Sequence, residues 1–552
     1  MSHTRCTRLA VTALAGVATG VTFVITGFGT PAYAASDLNF NINNYKEVST
    51  TVDGTTVKYR AYENIPYVTN PTAKGTQTMS VYVPEAYYHN KTINGYSEKT
   101  APIFFPNGVG GYMPGDIQEP TVRNGEANAS LAALAHGYVV ASPAVRGRTS
   151  TNENGEYIGK APAVIVDLKA AVKYLHYNDK VMPGDANKII SNGTSAGGAV
   201  SALLGATGDN PAYDSYLKAL GAAPASDAIF AVSAYCPITN LDNANSAYEW
   251  SYGKLDSYTG MNFGKQLPKA AMGSAPSASA TPSTPGAPAT KAPQGAPALP
   301  EAAMGTNNAK NNGGPGGPGG DFHPTPGKPV TFTAADHRLS NILAAQFPAY
   351  VNSLQLKDEQ GRPLTLNEDG TGSFLNYAKQ FVIQSANDAL KAGTDISQAK
   401  YLVYNSDHSK VIDVNWDAYN KAVGRIKGIG AFDSPTADTG ENDEFGTSTN
   451  APRHFTDFMA TYDNKYGVAD TNTVRLMNPM DFITDKQSKV APHWRIRYGE
   501  IDNNTSPAIP LILATKLRNE GYDVNYYAPW NVGHRGDYDL KELFAWIDSI
   551  VK

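Results

Sequence analysis

The sequence predicts an α/β protein: a mostly parallel sheet with helices on both faces, interrupted by one large insertion. Three observations predict it. Short apolar, strand-like runs recur at 79–83, 102–105, 138–141, 188–192, 229–235, 494–498 and 524–527, and helical patterns lie between several of them. The pentapeptide Gly193-Thr194-Ser195-Ala196-Gly197 falls between a strand pattern and a small-residue helix start. The alternating rhythm stops between about residue 238 and residue 490, then resumes.

The helices are justified one by one. Residues 161–178 carry apolar side chains at 164, 168, 171, 172 and 175, with Pro162 suited to a first turn. Residues 506–521 and 539–551 also read as helices, and 335–356 and 374–392 are the helical pieces of the insertion. Between 268 and 329 the chain is almost wholly Ala, Pro, Gly and Ser, which cannot bury enough apolar surface to offset ordering, so disorder is expected. The organisation that follows is a core of 37–237 plus 491–552, with a cap at 238–490 inserted after the strand ending near Cys236. A cap in that position covers and shapes a site.

At 552 residues the chain exceeds one simple core, consistent with a large insertion. Residues 1–34 stand apart from the fold. Arg5 and Arg8, an almost uncharged apolar run at 9–28, and Ala32-Tyr33-Ala34 form a secretory signal peptide with cleavage near Ala34, so the mature protein is expected to be secreted. The length of the run alone would also suit an uncleaved anchor. No later segment is apolar enough to span a membrane, so no membrane association is expected after cleavage. Losing Arg5 and Arg8 takes the basic residues from 45 to 43 against 50 acidic ones, a net charge of −7. A mildly acidic chain without a basic stripe has no footprint for nucleic acid. Cys6 leaves with the signal, and Cys236, closing the apolar run 228–235, reads as a buried small hydrophobe.

In Gly193-Thr194-Ser195-Ala196-Gly197 the glycines allow a sharp strand-to-helix turn that presents the Ser195 hydroxyl at the strand's end. A serine hydroxyl needs a base, the base an orienting acid, and the intermediate an oxyanion hole. In such sheets the partners follow in the order Ser, Asp/Glu, His. His534 fits the base, lying in a Gly-bounded loop between a strand and the last helix, whereas His176 and His493 read as structural and His454 belongs to the cap. Asp502, just past the strand 494–498, fits the acid, with Glu500 as the alternative. The oxyanion donors are the amide of Ala196 and one from the loop Asn107-Gly108-Val109-Gly110-Gly111, taken as Gly110 with Gly111 close behind. No pair of histidines has metal-ligand spacing, so neither a metal nor another cofactor is expected.

These pieces together resemble the bacterial tannase family of α/β-hydrolases, which hydrolyse galloyl esters. The resemblance runs through 107–115, Ser195 in GTSAGG, 235–238, Tyr248-Glu249-Trp250, Gly440-Glu441-Asn442 with Phe445-Gly446, 493–497 and 534–539. It implies an α/β-hydrolase fold with a large inserted cap (lid) domain, and it places Ser195, Asp502 and His534 on the family's triad. It also implies that Lys427 and Glu441 grip the phenolic hydroxyls of the acyl ring. Viewed alone, each reads as a solvated surface charge. At the third gripping position the chain departs from the family, with Asn504 where an aspartate is expected.

The expectation is therefore a secreted serine esterase acting on a small phenolic ester, galloyl or protocatechuoyl, through an acyl-enzyme. A feruloyl esterase or generalist carboxylesterase is the nearest alternative. A non-catalytic polyphenol-binding protein is a third, opposed by the complete Ser, Asp, His set.

Overall fold

The computed structural model describes residues 37–52, 54–262 and 325–552. The signal peptide and most of the Ala/Pro/Gly-rich tract lie outside them.

Nine strands form the main sheet. In chain order they are β1 (Lys46–Val52), β2 (Thr55–Pro66), β3 (Thr78–Pro84), β4 (Pro102–Pro106), β5 (Val139–Pro143), β6 (Asp185–Thr194), β7 (Ala231–Tyr235), β8 (His493–Arg497) and β9 (Asp523–Tyr527). Their order across the sheet is β1-β2-β3-β5-β4-β6-β7-β8-β9. From β5 to β9 every pairing is parallel, and β1, β2 and β3 add antiparallel ribbon at one edge. All residues of β4, β5 and β7 are buried, as expected of central strands covered on both faces. Each of the seven expected runs is a strand. The β1–β2 ribbon is not among the expected strands: β1 (KEVSTTV) buries no residue fully, and the alternation of β2, with Val57, Tyr59 and Ala61 buried and Thr56 and Lys58 exposed, is spaced by polar and charged residues instead of forming an apolar run.

The covering helices include α1 (Ala163–Tyr177), α2 (Ala196–Ala206), α3 (Leu241–Tyr252), α4 (Gly440–Glu444), α5 (Ala508–Asn519) and α6 (Leu540–Val551). Every residue of α2 is buried. Its small side chains allow that: a Cβ at Gly198 would lie 2.6 Å from the Tyr235 carbonyl oxygen, and one at Gly205 would lie 2.3 Å from a Val232 methyl.

Between β7 and β8, which are hydrogen-bonded neighbours in register from Ala231↔His493 to Tyr235↔Arg497, the chain leaves the sheet and builds the cap. The cap has its own apolar cluster, with Phe347, Phe374, Val382 and Trp416, and shares it with Ala508, Ile509, Leu511 and Ile512 of α5. The other face of α5, Leu513, Ala514 and Leu517, belongs to the main core. One helix thus joins the two cores. The helix expected over 335–356 is two helices, Ala334–Ala344 and Phe347–Ser353, with Pro348 in the first turn of the second. A proline ring clashes with the carbonyl four residues earlier, so the first helix must end before it. The end of the tract expected to be disordered is ordered: Thr325–Thr331 is a strand paired antiparallel with Ser257–Asn262, and 268–324 lie outside the described residues. Alternation of Thr, Val and Phe beyond Pro329 completes the pairing that the prolines alone would not support.

Within the cap, Asp433 is a buried hub. Its carboxylate accepts from Asn442 Nδ2 (2.8 Å), His454 Nδ1 (2.7 Å), the amides of Phe455 (3.0 Å) and Thr456 (2.9 Å), and Thr456 Oγ1 (2.7 Å). Asp433 and His454 are both fully buried. Truncating the carboxylate strands several donors away from water. Asp433→Ala is expected to lower stability by about 3 kcal/mol or more, measured by chemical denaturation of the folded chain; a loss below about 1 kcal/mol would contradict this role.

Candidate active site

Ser195 lies at the carboxyl end of β6, between the strand and α2, with φ 61° and ψ −124°. A side-chain-bearing residue in this region stores about 1–3 kcal/mol of strain. The surroundings hold it there. The Ser195 amide donates to the Tyr235 carbonyl at the end of β7 (3.0 Å), and its carbonyl accepts from the Ala199 amide (2.9 Å). The glycines on either side are required by contact: a Cβ at Gly193 would lie 2.4 Å from the Gly197 carbonyl oxygen, and one at Gly197 would lie 2.7 Å from that of Val109. The result is a half-buried hydroxyl on a fixed turn.

His534 and Asp502, 32 residues apart in the chain, meet through Nδ1···Oδ2 at 2.8 Å. Asp502 is fully buried and His534 almost so, with 18% of its side chain exposed. The Asp502 loop is held at several points. Its second carboxylate oxygen accepts from the Asn504 amide (2.9 Å), its own amide donates to the Gly499 carbonyl (2.9 Å), and its carbonyl accepts from Tyr498 (2.6 Å) and Tyr252 (3.3 Å). Burial works against a charged His534, but the Asp502 carboxylate and the Cys236 sulfur outweigh it and raise the imidazole's pKa. With Nδ1 engaged by Asp502, Nε2 is the nitrogen left for a proton in transit.

The His534 loop is clamped from below. Asn192 Nδ2 donates to Asp537 Oδ1 (2.9 Å), Tyr235 donates to Asp539 Oδ1 (2.6 Å), and Arg495 pairs with Asp539. Gly536 passes so close to the strand before the nucleophile that a Cβ there would lie 1.9 Å from Thr194 Oγ1. The His534 loop and the Ser195 turn are therefore packed against one another.

The Gly-rich loop after β4 reaches the same turn. Asn107 braces it: Nδ2 donates to the Asn192 carbonyl (3.1 Å), the Gly197 carbonyl (3.2 Å) and Ser201 Oγ (2.9 Å), while Oδ1 accepts from the Val109 amide (3.3 Å). The Val109 N–H is thereby engaged, and Gly110 is the next amide along. Open space lies beside Gly110 and Gly111, where an added Cβ would meet nothing within 4 Å. Ala196 is the first residue of α2, a position whose N–H has no partner within its helix.

From the cap, Lys427 extends over the Phe432 ring, Nζ lying 3.9 Å from its centroid. Burial lowers its pKa, while Glu441 and Asp502 pull it back up. The ammonium group thus lies within the field of both carboxylates. Glu441 sits in α4, which Arg148 (2.6 Å) and Lys160 (2.5 Å) tie to the core through Asp443. Lys427, Glu441 and Asn504 are half-buried, and their polar ends make no hydrogen bond or ion pair to any described residue. The surface-charge interpretation of Lys427 and Glu441 does not fit these surroundings.

Other residues were harder to find. Cys236 is buried, as expected, but not merely as packing: its Sγ, a carboxylate oxygen of Asp502 and a ring nitrogen of His534 lie within 4.8 Å of one another. Burial pushes its thiol pKa up. Glu500, the alternative acid, instead turns away, accepting from Tyr401 (2.8 Å), and burial raises it to about 7. His454 is enclosed with Asp433 and does not line the site. His176 and His493 bond the Ala228 carbonyl (2.9 Å) and Asp523 (2.8 Å), as structural rings do.

The BD-FAE family model matches residues 97–281. No curated protein matches the chain. Among solved structures, the tannase of Fusobacterium nucleatum is 46% identical, covering 94% of this chain and 100% of its own, with a TM-score of 0.80. The tannin acyl hydrolase of Lactobacillus plantarum is 39% identical, covering 93% and 99%, with a TM-score of 0.79. Tannin acyl hydrolase structures in complex with ethyl gallate and with 3,4-dihydroxybenzoate are 39% and 38% identical to it, with TM-scores of 0.79 and 0.78; each covers 93% of this chain and 99% of its own. The chain belongs to the bacterial tannase family, carboxylic ester hydrolases built on the α/β-hydrolase fold.

Proposed function

We propose that the protein is a secreted serine esterase that cleaves galloyl or protocatechuoyl esters through a Ser195-His534-Asp502 acyl-enzyme cycle. The observation that carries it is the 2.8 Å His534–Asp502 pair on a loop whose Gly536 packs against Thr194, the residue before the strained Ser195. Ser195 Oγ attacks the ester carbonyl carbon while His534 Nε2 takes its proton. The tetrahedral oxyanion is held by the Ala196 and Gly110 amides, each such donor supplying about 3 kcal/mol. Collapse expels the alcohol, which receives the proton from His534. Water then attacks the acyl-enzyme by the same route and releases the aromatic acid. Asp502 holds the tautomer and stabilises the imidazolium without taking the proton. Export rests on the leader pattern of residues 1–34.

The acyl ring is assigned to the space bounded by Lys427, Glu441 and Asn504. Half-buried polar ends without partners among the described residues suit hydroxyls of a bound ring. An ammonium donates, a carboxylate accepts, and the Asn504 amide does either at neutral charge. Hydrogen bonds to charged groups are about twice as strong as neutral ones. The neutral group at 504 therefore favours a site that distinguishes three adjacent hydroxyls from two less sharply than a carboxylate would.

Three measurements test this reading. Ser195→Ala should lower kcat on methyl gallate by about six orders of magnitude while circular dichroism stays unchanged; retained turnover would refute the nucleophile. The base must be neutral to act, and its pKa lies above the ordinary 6.5. Hence kcat/KM should fall as pH drops through a limb whose midpoint is above that value, whereas a limb below it would contradict the Asp502–His534 coupling. Finally, Asn504→Asp should raise kcat/KM about tenfold for methyl gallate relative to methyl 4-hydroxybenzoate. A uniform change across gallate, protocatechuate, 4-hydroxybenzoate and ferulate esters would remove Asn504 from the ring site, and a wild-type preference for ferulate would favour the feruloyl esterase alternative.

A further inference from the structure

We infer that Tyr248 is a positioning residue for substrate specificity, its hydroxyl fastening the cap segment that carries Lys427 to the loop that carries Asp502 and Asn504. The inference rests on the phenolic-ester reading above and concerns a group that does not touch the substrate.

Tyr248 lies on α3, the first helix of the cap, and is wholly buried. Its hydroxyl donates to the Asn503 carbonyl (2.9 Å) and accepts from the amides of Ile426 (3.3 Å) and Lys427 (3.3 Å). One donor and two acceptor sites exhaust a phenol's capacity. Asn503 stands between Asp502 and Asn504, so three bonds of one oxygen span the two sides of the ring site. One turn along the same helix face, Tyr252 donates to the Asp502 carbonyl (3.3 Å), and Tyr498 donates to it as well (2.6 Å), so Asp502 itself keeps two anchors that do not involve Tyr248.

The remaining polar atoms of the segment are fixed by the neighbour of Tyr248 in sequence. Glu249 holds Arg425 through a fully buried fork at 2.7 and 2.5 Å. Arg425 in turn donates to the carbonyls of Lys427 (2.8 Å) and Gly428 (2.9 Å). The amides of the lysine segment are thus held by Tyr248 and its carbonyls by Arg425. The Tyr248 ring meets Phe432 edge-on with centroids 6.1 Å apart, and Phe432 is the ring beneath the Lys427 ammonium. Hydroxyl and ring fix, respectively, the backbone and the seat of the same lysine.

A tyrosine that served only as core packing would support every substrate alike. A clamp between Lys427 and the acid loop should instead matter for substrates whose ring hydroxyls the site grips. Tyr248→Phe keeps the ring and its packing and removes only the three bonds. In the full-length chain, kcat/KM for methyl gallate should fall about tenfold or more, chiefly through KM, while methyl benzoate changes by less than about twofold. Binding of gallic acid to the Ser195→Ala protein, read by calorimetry with and without Tyr248→Phe, should weaken by the same factor. An equal fall on both esters, or no fall on either, overturns the proposal. If the wild type itself shows no preference for methyl gallate over methyl benzoate, the phenolic-ester reading fails. If it does and Tyr248→Phe retains the preference, only the clamp fails.

Discussion

The structure depends on a steric constraint at one turn. Ser195 occupies a backbone region that L-residues avoid. It stays there because β6, β7, α2 and the Gly-rich loop approach so closely that Gly193, Gly197 and Gly198 have no room for a Cβ. The strain is local and small beside the apolar burial of the central strands. Its effect is to fix a hydroxyl in place without spending a flexible side chain's entropy at each turnover.

Within the core, the segments that gather around the Ser195 turn follow the carboxyl ends of parallel strands. β4 leads to the Gly-rich loop at 107–111, β6 to Ser195, β7 to Cys236, β8 to Asp502 and β9 to His534. Because β7 and β8 are parallel neighbours, the long excursion between them leaves at the site end of β7 and returns at the opposite end of the sheet, where His493 pairs with Ala231. The insertion is joined to the core by α5, which packs into both apolar clusters.

Much of this was legible in sequence. Buried parallel strands announce themselves as short apolar runs, and the order Ser, Asp, His follows from the sheet. The β1–β2 ribbon was not expected, since β2 alternates buried Val57, Tyr59 and Ala61 with polar residues and so forms no continuous apolar run, and β1 buries no residue fully. The break after Ala344 was signalled by Pro348, but the helical periodicity of its neighbours outweighed it. Cys236 read as a hydrophobe because composition reports burial and not neighbours: its proximity to His534 arises from a long-range contact. Lys427 and Glu441 could not be told from surface charges by pattern, because the cap's irregular backbone gives their spacing no period. Tyr248 and Glu249 looked like part of an ordinary helix, and only the segment they hold reveals what they do.

The electrostatics of the site constrain what can stand at position 504. Two negative charges already face the cationic groups here: Asp502, committed to His534, and Glu441, within the field of Lys427. A carboxylate at 504 would strengthen the grip on a phenolic hydroxyl and support the charged lysine. Its backbone amide, however, already bonds Asp502, so that charge would also lie close to the imidazole. A nearby anion favours the imidazolium and makes His534 a base that is neutral over a narrower range of pH. On the proposed function, the asparagine would keep a hydrogen-bonding end in the ring site while sparing His534 a second anion. Recognition of the ring and readiness of the base would then draw on the same charges, with Asn504 where the two requirements meet.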